Sequence, residues 1–152
     1  MARGIPFALL FAILATAGCN TGDGPLAPAD AEANHRSSIL GEVGEMLVLA
    51  KGDRAKPPSK LADLSRYEMG FPSGYERLKT RDIVLIWEAA IEAGASEKVL
   101  AYEKTAPESG GYVLMQDGTT VKKLTAEEFQ AAPKAAGKLE DPAKEKKTTE
   151  VG

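Results

Sequence analysis

Cys19 and His35 are the only cysteine and the only histidine in this 152-residue chain, and that shortage decides most of the chemistry the sequence can support. Nucleophilic catalysis needs a base beside a Ser, Cys or Thr. The one imidazole stands in a stretch from Asn20 to Arg36 rich in Gly, Pro and Ala with no apolar period, and no Gly-x-Ser-x-Gly elbow occurs. One His and one Cys cannot supply the three or four ligands of a zinc site. No Gly-x-x-x-x-Gly-Lys phosphate loop is present, and Gly41-Glu-Val-Gly44 has no strand ahead of it, so it reads as close helix packing. Carboxylates remain: Glu88, Glu92, Glu97, Glu103 and Asp117. Two of them could converge for acid–base work, but nothing in their spacing selects a partner, and Asp117 before Gly118 reads as a turn former. The expectation is a protein without catalytic residues, cofactor or metal.

The position of Cys19 is more informative than its reactivity. Arg3 supplies a positive start, an apolar run of about ten residues follows, and Ala17-Gly18 places small residues before the cysteine. A spanning helix needs roughly 20 apolar residues, so the segment reads as a secretory leader. A cysteine directly after such a leader resembles the lipobox of bacterial lipoproteins, with Thr16 standing where the pattern prefers Leu. That resemblance implies a diacylglyceryl thioether on Cys19, cleavage just before it, and a palmitate-type N-acyl chain in many cases. One acyl chain anchors only marginally, whereas two or more hold. The protein would then be lipid-anchored at the cell envelope, on the periplasmic face of the inner or outer membrane. Asn20 after the cysteine favours the outer membrane by the sorting rule of enteric bacteria. With Cys19 consumed, no disulfide can form within the chain, and the fold must stand on its core.

The elements that would position any site lie downstream. Four segments are expected: a signal peptide over 1–18, a flexible tether over 19–36, one domain over 37–131 and a disordered tail over 132–152, rich in Ala, Pro, Lys and Glu. Removing a leader whose only charge is Arg3 takes the net charge from −3 to −4, which argues against nucleic acid as a partner. Ser37 or Ser38 can cap a helix carrying Ile39, Leu40, Val43, Met46, Leu47 and Ala50 on one face. Pro57-Pro58 breaks it, Leu61 and Leu64 sit on a short turn, and Phe71 to Tyr75 reads as another turn. The run Ile83 to Trp87 reads as a central strand buried on both faces. Ala89 to Ser96 is ambiguous, with the makings of a helical turn. Lys98–Glu103, Tyr112–Gln116 and Thr119–Leu124 complete the strands, with Asp117-Gly118 as the hairpin turn. Thr125-Ala-Glu-Glu128 is a capping box for a last short helix whose Phe129 faces the core. The fold class is α+β: an amphipathic N-terminal helix packed on a small, about four-stranded, mainly antiparallel sheet, with disordered tails.

The helix, the Lys56-Pro57-Pro58-Ser59-Lys60-Leu61 segment and the following meander resemble the globular half of type II secretion pseudopilins. The stretch Val99 to Phe129 is similar to the closing hairpin of planctomycete prepilin-like proteins. The likeness implies a pilin-like domain over roughly Ser38 to Phe129. A pilin keeps its apolar N-terminal helix for filament assembly, and here that segment would be discarded at Cys19, so filament formation does not carry over. Tyr67, Phe71 and Tyr75 lie in irregular chain around Pro72 and are the candidates for an exposed partner-binding patch. The functional expectation is a lipid-anchored envelope protein with a non-catalytic interaction or structural role, its partners the membrane through Cys19 and an envelope protein or polymer. Two alternatives are an accessory subunit of a type II secretion-like machine and a secreted acid–base enzyme.

Overall fold

The computed structural model describes residues 28–139; the leader, Cys19 and residues 140–152 lie outside the described residues. The fold is α+β, an N-terminal helix packed against a four-stranded antiparallel sheet. Helix α1 (Pro28–Asp53) has 26 residues and is about 39 Å long. Ile39, Leu40, Val43, Gly44, Met46, Leu47 and Ala50 are its buried stripe, as the periodicity predicts. The helix starts well before the expected cap, however, and takes in half of the expected tether. Pro28 costs nothing in a first turn, and Ala29, Ala31, Glu32 and Ala33 are strong helix formers. This part lacks an apolar period because it is solvated. Ser37 does not cap; its hydroxyl donates to the Asn34 carbonyl one turn back at 3.0 Å.

Gly41 and Gly44, in the middle of α1, have different work. A side chain on Gly44 would collide with the Gly118 carbonyl oxygen, whereas nothing stands within 4 Å of one on Gly41. Gly44 therefore lets the β-hairpin turn sit directly on the helix. After α1 comes a 3-10 turn (Leu61–Tyr67), then α2 (Pro72–Lys79), where the sequence suggested only a turn. Pro72 is again a first-turn proline, and Gly74 is a contact glycine. Its N–H donates to Glu42 Oε2 at 2.8 Å, and an added Cβ would lie 3.1 Å from the Val43 nitrogen.

The strands β1 (Ile83–Leu85), β2 (Val99–Glu103), β3 (Gly111–Met115) and β4 (Val121–Leu124) form an antiparallel meander in sequence order. Short α3 (Ala106–Ser109) joins β2 to β3. Side chains alternate across the sheet: Leu114 belongs to the core under α1, while Val113 and Met115 pack with Phe129 of α4 (Ala126–Ala131) on the other face. The Thr125–Glu128 capping box forms as expected, and the Tyr102 and Phe129 rings pack at 4.8 Å. No helical turn forms over Ala89–Ser96.

Two further readings are corrected. The apolar run Ile83–Trp87 is an edge strand of three residues, not a central one. Beyond its end, at Trp87 and at the start of β2, the backbone partners come from residues expected in a disordered tail. Trp87 and Lys138 exchange both backbone hydrogen bonds at 2.7 Å, Val99 N–H donates to the Pro133 carbonyl, and Ala135 N–H donates to the Val99 carbonyl. Ala135 is buried. Residues 132–139 are thus a strap held by backbone bonds, which leave no trace in an apolar pattern. Lys134 fixes its start: Nζ donates to the Phe129 and Ala132 carbonyls at 2.5 and 2.6 Å, closing the end of α4.

Candidate functional site

The aromatic patch expected on the surface is part of the core. Tyr67 and Tyr75 are each 8% exposed and Phe71 is half-buried. The reason is α2, which turns Tyr75 and Leu78 inward instead of leaving them on a loop. Tyr67 keeps a polar tip, its hydroxyl donating to Asp53 Oδ2 at 2.7 Å; burial and that carboxylate both raise its pKa. The exposed apolar side chain of this region is Met69, at 97%.

The carboxylates are dispersed and used structurally. Glu88 is exposed with positive φ and pairs with Lys138 at 2.9 Å, and Glu92 and Glu97 lie on the surface. Asp117 shapes its turn, Oδ1 accepting from the N–H groups of Thr119 and Thr120 and Oδ2 from the Thr120 hydroxyl. Burial pushes its pKa up, but the Thr120 hydroxyl and these amides outweigh that and hold it below the usual value. Glu103 accepts from Arg36 Nε at 2.7 Å, from Arg36 Nη2 at 2.6 Å and from the Tyr112 N–H at 2.7 Å. The early start of α1 places His35 on a helix beside this pair, in a groove that also holds Glu32, Arg77 and Asp82. Arg77, with the Thr80 hydroxyl, holds Asp82 below the usual carboxylate range. Each of these two acids is bound to a guanidinium, and the lowered Asp82 is the opposite of what a general acid near neutral pH requires. Among the described residues, no group of three or more His, Cys, Asp or Glu could hold a metal, and no helix is long and apolar enough to cross a membrane.

A small, comparatively enclosed recess lies elsewhere, at the C-terminal end of α1. It is a cavity of about 190 Å³ floored by Leu47, Leu85, Ile86, Ala89, Ile91 and Leu100, with Lys51, Arg54 and Lys56 at its rim beside Pro57 and Pro58. Leu47 and Lys51 are one turn apart on α1, so one helix face supplies both floor and rim. The two prolines hold the chain extended past the mouth, and the Pro58 carbonyl accepts from the Glu88 N–H at 2.9 Å. The opposite wall is tied down by buried Gln116, whose Nε2 donates to the Ala90 carbonyl at 2.9 Å. Lys51 Nζ closes across the mouth onto the Ile91 carbonyl at 3.0 Å. Arg54 is neutralised by Asp63, at 3.4 Å. Lys51 and Lys56 have no carboxylate partner among the described residues, and no acid lines the recess.

None of these recess residues stands out in the sequence. They come from separate segments, and the cations there look like ordinary helix-end charges. Comparison of the chain with protein-family models, with curated proteins and with solved structures finds no match.

Proposed function

We propose that this protein is a lipid-anchored component of the bacterial cell envelope whose domain acts by binding and not by catalysis. The observation that carries the reading is the placement of α1. It begins nine residues beyond Cys19, and Pro28 to Ser38 are mostly exposed before the buried stripe opens at Ile39. Those residues form a solvated helical stalk of about 16 Å, which suits a domain held off a membrane by a lipid on Cys19. The engagement of Glu103, Asp82, Asp63 and Glu88 with cations supports a binding role over an acid–base one. The layout of one long helix on an antiparallel meander also suits the pseudopilin-like reading, in which the domain serves a secretion machine as an accessory subunit. Co-purification with such a machine is expected under that second reading.

The first test is the intact mass of the membrane-extracted protein beside its Cys19→Ser variant. A chain beginning at Cys19 and carrying diacylglyceryl and acyl groups, lost in the variant, is the expected result. An unlipidated mass in both would overturn the anchor.

A further inference from the structure

We propose that the recess at the end of α1 binds a small amphiphilic anion: a carboxylate bearing one short aliphatic chain or one aromatic ring. This deepens the binding role above and rests on it. The size sets the apolar part. An engineered cavity of about 150 Å³ lined by apolar side chains takes up benzene, and this recess is about 190 Å³. Leu47, Ile86 and Leu100 are 4%, 5% and 1% exposed, so the floor is core-like and offers water no hydrogen bonds. A helix or strand of another protein does not fit such a volume.

Charge complementarity sets the other end of the ligand. Three cations and no carboxylate line the recess. Arg54 is neutralised by Asp63, which leaves Lys51 and Lys56. An ammonium has three donors. That of Lys51 spends one on the Ile91 carbonyl and stands directly over the apolar floor. The carbonyl end of α1 is also here, and its partial negative charge repels a bare anion. Affinity therefore needs both halves of the ligand at once, the apolar part to enter and the lysines to offset the helix end. The walls are already braced by Gln116 and Lys51, so little ordering is required on binding.

The test uses the full chain carrying Cys19→Ser, with octanoate, 1-octanol and acetate as probes and backbone amide NMR shifts as the readout. Octanoate is expected to give saturable shifts at Leu47, Ile86, Ile91 and Leu100, with 1-octanol about three- to tenfold weaker and acetate without effect, as expected for two partly exposed charges. Ala90 is exposed at the mouth, so Ala90→Phe fills the entrance without entering the core and should weaken octanoate at least about tenfold. The double variant Lys51→Gln, Lys56→Gln should bring octanoate down to the level of 1-octanol and leave 1-octanol unchanged. Equal binding of octanoate and 1-octanol, unaffected by the lysine variants, would reduce the recess to a plain apolar hole and overturn the proposal. Absence of saturable shifts, or shifts confined to another surface, would do the same. Lipidation of Cys19 is read separately by mass, so failure of either reading leaves the other standing.

Discussion

Glu103 is the position at which one substitution should reveal how the stalk is joined to the sheet. Its carboxylate receives two bonds from Arg36 of α1 and one from the Tyr112 N–H of β3. The Arg36 guanidinium also lies 5.4 Å from the Tyr112 ring centroid. Arg36 is 39% exposed and Glu103 14%, so water takes over much of the guanidinium once its partner is gone, and the ion pair contributes about 0.5–1 kcal/mol. The Tyr112 N–H is part-buried, and leaving it without an acceptor costs about 1–2 kcal/mol. Glu103→Ala should therefore destabilise the fold by about 1.5–3 kcal/mol, and Arg36→Ala, which leaves that N–H satisfied, by only about 0.5–1 kcal/mol. Glu103→Gln keeps an oxygen for Tyr112 but turns an amide NH₂ toward the guanidinium, and belongs between them. Urea unfolding reads this directly. With a slope of about 2 kcal/mol per molar, Glu103→Ala moves the midpoint down by about 0.75–1.5 M. A shift for Arg36→Ala as large as that for Glu103→Ala would show that the ion pair, not the strand amide, is the dominant contact. A shift for Glu103→Ala below about 0.3 M would refute the whole account.

Gly41→Ala and Gly44→Ala, three residues apart, should have opposite signs. The first gains about 0.5–1 kcal/mol of helix stability in open space, whereas the second forces the Gly118 turn off the helix and costs about 3 kcal/mol or more, both checked by thermal unfolding. On acidification, stability should fall below about pH 4. Asp63, held low first by the Ser59 N–H, Asp82, held low by Arg77, and Asp117 all bind protons less readily folded than unfolded. Their stabilisation is complete above the ordinary aspartate pKa and is lost as pH drops through the folded values. Asp117→Asn should remove part of that slope, and an unchanged slope would discount the turn. Truncation after Ala131 should lower the melting temperature and release the Trp87 amide to fast hydrogen exchange, because the strap supplies its acceptor.

Local rules made a good deal of this protein legible. The stripe from Ile39 to Ala50 specified the packed face of α1, Asp117-Gly118 specified the β3–β4 turn, and Thr125 with Glu128 specified the start of α4, because each depends only on neighbours within a turn or two of chain. The proposed localisation rests likewise on local sequence, Cys19 after its apolar run, and awaits the mass measurement. Contacts between distant segments were not legible. Pro72-Ser-Gly74 has the composition of a turn, and only the approach of α2 to Val43 shows Gly74 as a contact glycine and buries Tyr75. Glu103 looked like one acid among five until α1 brought Arg36 to it across 67 residues. The strap over residues 132–139 is bound through its backbone, whose hydrogen bonds are the same for every residue type except proline and so leave no mark on composition. The recess under Lys51 is a space between elements, and a space has no sequence of its own.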